Sequence, residues 1–390
     1  MNKLRLGVIG IGNMGSEHCR TVLSGITPEI VLTAVADLRE DRREWAHSRL
    51  PDNVSVFESG ERLIDSGRCD AVLIATPHPQ HPPLTIKALR HGLHVLCEKP
   101  IAVDMITARE MVCAARQEAG TFALMFNQRT NCLYRRLKGL LDSGELGAVK
   151  RVVWCATDWY RTQRYYDSSN WRGTWLGEGG GILMNQCPHQ LDLLQWLFGM
   201  PVRVRAFCRE GMWHNIETED EVTAYLEFPG GAAGVFLAST GDLPGVNRLE
   251  VTLEQGRIVC ENETLSVWKL PVSERVYCKT SPDLYAGISP VKIEAATDGQ
   301  NTQHTGVLNA FAAHILHGAP LVASGEEGLN SLLLANAMYL SSWLDQPITL
   351  PMDEELFVSM LRRRQAASHL KEGGCQTYET DHAAGGRVLH

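Results

Sequence analysis

The chain has 390 residues, of which 44% are hydrophobic and 21% charged, and a formal net charge of −8. That length exceeds one ordinary domain and that balance supports a buried core, so two globular units are expected. No block of Lys or Arg stands out, which argues against a nucleic-acid or anionic-membrane partner.

In chain order, MNKLRLGVIGIGNMG begins with basic residues, but glycines and Asn13 interrupt its apolar run, so it does not read as a secretory signal. No segment approaches the ~18 uninterrupted apolar residues of a membrane span. Strand candidates follow at Leu4–Ile9, Val31–Asp37, Val54–Phe57, Asp70–Thr76, His94–Cys97 and Phe122–Phe126, with amphipathic stretches such as Asp104–Ala119 between them. Strands separated by helices pair in parallel through right-handed crossovers, so residues 1–126 are expected to form a doubly wound Rossmann domain of α/β class.

After Asn127 the rhythm changes. Leu133–Leu141 is helical in pattern and Val149–Trp159 is β-prone. Glu221–Phe228 and Ala232–Thr240 flank Pro229–Gly230–Gly231, and Arg248–Glu254 and Arg257–Glu261 flank Gln255–Gly256, so both pairs are expected to be hairpins. Helical periodicity returns at Gly306–His317, Glu326–Trp343 and Asp353–Ala367. Residues 127–370 are therefore expected to be an α+β domain with a mostly antiparallel open sheet and helices on one face. Residues 371–390, polar and Gly-rich, are expected to be a loose tail. The 11 cysteines are scattered without a CxxC pair, which favours a reducing, cytoplasmic setting over a disulfide framework.

The chemistry starts at Gly10-x-Gly12-x-x-Gly15, which follows the first strand and opens a helix whose first turn holds Asn13 and Met14. The first glycine permits the tight turn, the second lets a pyrophosphate approach the backbone, and the third allows close helix–strand packing. The second strand ends at Asp37, where a carboxylate hydrogen-bonds ribose hydroxyls and repels a 2′-phosphate. NAD is accordingly expected over NADP, although Arg39, Arg42 and Arg43 lie close enough in sequence to soften that repulsion. The fourth and fifth strands end in Thr76–Pro77–His78 and Glu98–Lys99–Pro100. Ligands of open α/β sheets sit beyond such carboxyl ends, so both turns should border the nicotinamide.

Taken with the runs TPHPQHPPLTIKALRHGLHVLCEKP and GEGGGILMNQCPHQLDLLQWLFG, these pieces resemble the glucose–fructose oxidoreductase/inositol dehydrogenase (Gfo/Idh/MocA) family over nearly the whole chain, to about residue 367. The resemblance implies a Rossmann domain followed by an α/β domain whose open sheet forms an oligomer interface, as a dimer or tetramer. It implies that Lys99 is the catalytic lysine and His189 the histidine that exchanges the hydroxyl proton. It also adds His81 and Glu98 to the cofactor-facing runs and places Trp171 and Arg172 near the cofactor. The chemistry fits. Hydride leaves a carbinol carbon easily only if the O–H proton goes to a base, and an ammonium stabilises the developing alkoxide.

The chain departs from many polyol dehydrogenases of that family four residues before the histidine, where Asn185 replaces an Asp. Asn185 remains a candidate partner of substrate or His189. Asp192, three residues after His189, is either an orienting carboxylate or a structural helix-start residue. The stretch Trp154–Trp175 holds four of the nine tryptophans beside Tyr160, Arg161 and Arg164. Aromatic faces and guanidinium forks suit a sugar, against the plainer reading of core tryptophans beside a solvated loop. The histidine pairs 91/94 and 314/317 lack a third ligand, so no metal is expected. The expected function is NAD-dependent oxidation of a secondary hydroxyl of a sugar, glycoside (at C3 by analogy) or inositol. The alternatives are an NAD-using lyase or deglycosylase with transient oxidation, and a catalytically silent NAD(P)-sensing regulator.

Overall fold

A computed structural model describes residues 3–285 and 287–371. The tail expected from residue 371 onward lies outside the described residues from 372 on. Among the described residues there are two sheets. The first contains β1 (Leu4–Ile9), β2 (Ile30–Ala36), β3 (Ser55–Phe57), β4 (Ala71–Ile74), β5 (His94–Cys97) and β6 (Phe122–Leu124). All pairs are parallel, in the order β3-β2-β1-β4-β5-β6. Every residue of β4 is buried, as a parallel strand covered on both faces requires. The order reverses between β1 and β4, so a crevice opens beyond their carboxyl ends. Helix Met105–Gln117 begins where Asp104 accepts the Thr107 N–H at 2.9 Å, a side-chain N-cap.

The second sheet comprises β7 (Val149–Ala156), β8 (Arg203–Glu210), β9 (Glu219–Glu227), β10 (Ala233–Ser239), β11 (Asn247–Leu253), β12 (Gly256–Glu261), β13 (Thr264–Lys269), β14 (Val291–Ile293) and β15 (Ile348–Thr349). Its order is β14-β13-β12-β11-β7-β10-β9-β8-β15. The two expected hairpins, β9–β10 and β11–β12, are antiparallel neighbours. The sheet is mixed rather than wholly antiparallel, because β7 pairs β10 in parallel, Val153 opposite Val235. Alternation along β9 and β11 buries Val222, Ala224, Leu226, Leu249 and Val251 on one face. Helices Pro188–Phe198 and Gly328–Leu344 pack together on that side of the molecule, the latter directly against β8.

One element crosses the expected boundary. Helix Gln303–His317 packs Val307, Leu308, Phe311 and Ala312 into the same buried cluster as Leu4, Leu6 and Val8 of β1. The parallel sheet thus takes one covering helix from the second half of the chain, so the cut at 126 is not clean.

Asp192 is resolved in favour of a structural role. Its carboxylate takes two bonds from Arg129, at 2.8 Å from Nε and 2.7 Å from Nη2, and a third from Gln195. Arg129 also donates to Glu327 at 2.5 Å. The ion group clamps the short turn Asn127–Thr130, the helix carrying His189 and the start of helix Gly328–Leu344. Both Asp192 (1% exposed) and Arg129 (4%) are buried, so neither charge is free to meet a ligand. Asp192→Ala strands the guanidinium with only Glu327, and the expected outcome is a loss of about 3–5 kcal/mol in urea unfolding. A loss under about 1 kcal/mol, the range of an exposed pair, would refute the clamp.

Candidate active site

The cofactor end is built from the turn after β1. Gly10 has φ +84°, and a Cβ there would meet the Ala75 carbonyl oxygen at 2.8 Å. A Cβ on Gly15 would come within 1.8 Å of the Gly10 carbonyl oxygen, so the helix Asn13–Leu23 approaches the strand only because residue 15 has no side chain. Gly12 faces open space, with nothing within 4 Å of its would-be Cβ. That opening, at a helix start whose first N–H groups lack intrahelical partners, fits a dinucleotide pyrophosphate. Asn13 is exposed and Met14 half-buried at this same turn.

Asp37, just beyond β2, accepts from the Ile11 N–H at 2.8 Å and the Arg39 N–H at 2.9 Å and stays half-exposed. The three neighbouring arginines are engaged. Arg39 pairs with Asp41, buried Arg42 donates to the Ile11 carbonyl, and Arg43 donates to the Asp37 and Leu38 carbonyls. Bonds to carbonyls leave the charges of Arg42 and Arg43 in place, so these arginines soften the repulsion of a 2′-phosphate by Asp37 without removing its carboxylate.

At the turn after β4, the Thr76 hydroxyl oxygen is buried without a hydrogen-bond partner and Pro77 is exposed, a polar atom and a surface available to a bound ring. His78, pushed well below 6.5 by burial, donates from Nδ1 to the Glu178 carbonyl at 2.9 Å. Two residues grouped with the cofactor instead brace the turns from beneath. His81 is fully buried between the Pro100 and Thr76 carbonyls, at 2.8 and 2.9 Å. Glu98 accepts from His18 Nε2 at 2.8 Å and from the Lys99 N–H at 3.2 Å. Burial opposes the Glu98 charge, yet the His18 hydrogen bond and the charges of His18, His304 and Lys99 hold its pKa at about 2. His304 reaches this cluster from the helix that crosses the expected boundary. Its ring lies 5.5 Å from that of His18, and burial followed by the His18 charge lowers it to about 4. His18 and His304 were not anticipated, because their partners are remote in sequence.

Lys99 lies within electrostatic reach of His189. Lys99 donates from Nζ to the Asn185 backbone carbonyl at 2.9 Å, tying the β5 turn to the loop before helix Pro188–Phe198. Burial lowers the Lys99 pKa, opposed by Glu98 and Glu178. His189 is held well below 6.5 by burial and then by the Lys99 charge. Its Nδ1 is buried with no hydrogen-bond partner. A neutral imidazole with an unused nitrogen beside an ammonium is the pairing that alcohol oxidation requires. The Asn185 side chain turns to Glu178, to which Nδ2 donates, and not to His189. Glu178, the only carboxylate between Asp167 and Asp192, is a further site residue that sequence reasoning missed.

The aromatic stretch divides. Trp154, Trp159 and Trp175 are core, at 0%, 7% and 4% exposure, and Trp175 packs against Tyr339 and Trp343. For these three the plainer reading holds. Trp171 stays half-buried, edge-on to His78 at 6.1 Å. The Arg172 guanidinium lies between the Trp171 and Tyr165 rings, 4.4 and 4.5 Å from their centroids, and donates to the Tyr165 hydroxyl. Arg161 covers the Tyr165 ring at 5.0 Å, and its charge is felt at Lys99. Tyr160 is half-exposed on the same loop, its carbonyl accepting from Arg161, whereas Arg164 is exposed on the short helix Gln163–Asp167.

With this geometry in view, the comparisons with known proteins agree. The family model described as the oxidoreductase family, NAD-binding Rossmann fold, matches residues 4–126, and the GFO/IDH/MocA C-terminal domain model matches residues 134–259, together more than half of the chain. Myo-inositol 2-dehydrogenase of Thermotoga maritima is 26% identical over 86% of this chain and 95% of its own length. The WlbA dehydrogenase of Bordetella pertussis, solved with NADH and UDP-GlcNAcA, superposes with a TM-score of 0.78 at 25% identity, over 90% of this chain and 99% of that one. Levoglucosan dehydrogenase, solved with NADH and L-sorbose, shares the fold with a TM-score of 0.73 at 21% identity, over 90% of this chain and 100% of that one. Among the described residues no helix is long and apolar enough to cross a membrane. The glycine cradle, the Asp37 carboxylate and both matched domains lead to one conclusion: the chain is an NAD-binding oxidoreductase of the Gfo/Idh/MocA family.

Proposed function

We propose that the enzyme oxidises a secondary hydroxyl of a sugar, glycoside or inositol to a ketone. The observation that supports this reading is that Lys99, at the carboxyl end of β5, bonds the Asn185 carbonyl and acts by its charge on His189, with Tyr165, Trp171, Arg161 and Arg172 grouped nearby. When bound, NAD supplies the ring that accepts hydride from the carbinol carbon. Its holders would be the Gly10–Gly15 turn, Asp37, and the Thr76–His78 and Trp171–Arg172 segments. The neutral His189 imidazole takes the hydroxyl proton, and the Lys99 ammonium stabilises the oxygen as negative charge develops on it. The aromatic and guanidinium faces suit stacking and hydrogen bonding to a polyol ring. Lys99 and His189 in one cleft favour an enzyme over a silent sensor. NADH accumulation with a panel of glycosides and inositols tests the reading, because a redox-neutral lyase accumulates none.

The same reading includes a homo-oligomer formed through the outer face of the nine-stranded sheet. Phe207, Tyr225 and Val153, at 53%, 46% and 38% exposure, lie on that face on β8, β9 and β7, with Val235 of β10 between the last two.

The pH dependence follows from the two shifts. Oxidation needs neutral His189, whose pKa is lowered, so kcat/KM stays high below pH 6.5 and falls only as pH drops through that depressed value. It needs protonated Lys99, whose pKa is also lowered, so the alkaline limb begins below 10.5. Lys99→Met is expected to cut turnover by at least ~10²-fold and remove the alkaline limb, and His189→Ala to remove the acid limb. Profiles of kcat/KM from the lowest pH at which the wild type stays folded up to pH 10 check this; unchanged limbs in either variant refute the assignment. Asp37→Ala is expected to narrow the preference for NAD over NADP, measured by calorimetric titration with both, through loss of ribose bonds and of repulsion.

A further inference from the structure

One buried carboxylate beside the site has no role in the reading above. Glu178 is 2% exposed. One of its oxygens, Oε1, accepts from Asn185 Nδ2, and the other accepts from the Gly173 N–H at 2.6 Å. An ionised carboxylate only accepts hydrogen bonds, so it decides which end of a neighbouring amide turns toward it. Nδ2 faces Glu178, and Oδ1, which accepts no hydrogen bond among the described residues, is left as the free acceptor of Asn185. The same residue's backbone carbonyl is the acceptor for Lys99 Nζ. Among the described residues, the charged or titratable groups facing Glu178 are Arg172, Lys371, Lys99, Tyr166 and, at its backbone carbonyl, His78. Burial pushes the Glu178 pKa up, while Arg172, the Gly173 N–H, Asn185 and Lys371 draw it down.

We propose that Glu178 is a positioning residue of the active site, an ionised carboxylate that fixes the Asn185 amide with Oδ1 presented to a substrate hydroxyl. The proposal rests on the alcohol-oxidation reading. A carboxylate placed behind an amide does two things that one placed at the reacting hydroxyl cannot do together. It leaves a neutral acceptor at the substrate, so His189 is not drawn toward its charged form. It also sets a negative charge near Lys99 and helps keep the ammonium protonated.

Three variants test this: Glu178→Gln, Asn185→Asp and the double variant. Glu178→Gln loses a charge-assisted hydrogen bond and leaves the amide of Asn185 without a fixed orientation. Its kcat/KM should fall about ten- to a hundred-fold, through KM for the polyol as well as kcat. Its alkaline limb should move to lower pH, because Lys99 has lost a neighbouring negative charge. The limb shift reports the Glu178 charge at Lys99 and the rise in KM reports the lost Asn185 orientation; a merely structural glutamate would lower stability without raising KM. Asn185→Asp places two carboxyl groups in contact, and such a pair shares one proton. The pair's folded-state pKa is then raised above its unfolded value. Stability relative to wild type is therefore retained at low pH and lost as pH rises through the raised value. In the double variant the pair is gone, so the slope of thermal stability against pH should return to that of wild type and part of the activity should recover.

Unchanged kcat/KM and limbs in Glu178→Gln, or an Asn185→Asp variant whose stability runs parallel to wild type from pH 5 to 8, would overturn the proposal. The stability arm needs no substrate. If wild type makes NADH with no polyol of the panel, the oxidation reading fails by itself, and the Asn185→Asp slope still decides whether Glu178 is an ionised partner of position 185. If Glu178→Gln does not fold, that slope and the double variant carry the decision.

Discussion

The site depends on one loop being held between the two sheets, and the buried carboxyl group of Glu219 holds it. Glu219 is completely buried at the start of β9. It accepts the Gly181 and Leu183 N–H groups, both at 2.9 Å, and the Tyr339 hydroxyl at 2.6 Å. Burial pushes its pKa up to about 8 even against those donors. The approach is so close that a Cβ on Gly181 would lie 1.9 Å from the Glu219 carbonyl oxygen. Glu178 and Asn185 lie on either side of this anchored segment, and His189 begins the helix that follows. Fixing the loop therefore fixes the distance from the β5 turn to all three.

The electrostatics of the site come from burial combined with selective pairing. Glu98 keeps its charge because His18 meets it, and it stands one residue from Lys99. Lys99 and His189 have no such tight ion pair, so burial shifts both toward their neutral forms. Two neighbouring residues in the β5 turn are thus treated oppositely, one favoured in its charged form and one made easier to deprotonate. Arg129 and Asp192 show the purely structural version of pairing. Each satisfies the other at a junction of three segments.

The two sheets divide the work by their geometry. The parallel sheet, covered on both faces, exposes only its strand ends, and those ends carry Gly10, Asp37, Thr76 and Lys99. The mixed sheet keeps one face in the core, while on the other Phe207, Tyr225 and Val153 stay exposed. Helix Gln303–His317 joins the two halves, since it covers the parallel sheet and brings His304 beside His18.

Features governed by local periodicity and turn chemistry were legible in the sequence. Leu4–Ile9 and His94–Cys97 are strands with the bounds that the apolar runs predict, and both Gly-containing hairpins close as expected. The Gly10–Gly15 turn and Asp37 were legible because each acts within one βαβ unit. β8 and β13 were not foreseen. Their runs, RVRAFCRE and TLSVWK, mix charge with short apolar residues, and pairing with β9 and β12 decides their conformation. The site divides in the same way. Lys99 and His189 could be named from motifs, but only the tertiary structure decided that Asp192 serves Arg129, 63 residues away, that Trp175 is core, and that Asn185 faces Glu178. The physical reason is that a buried polar or aromatic side chain takes its role from the partner that satisfies it. That partner is chosen by how segments pack, distant ones for Asp192 and Trp175 and the turns of a single loop for Asn185, which no periodicity in the chain records.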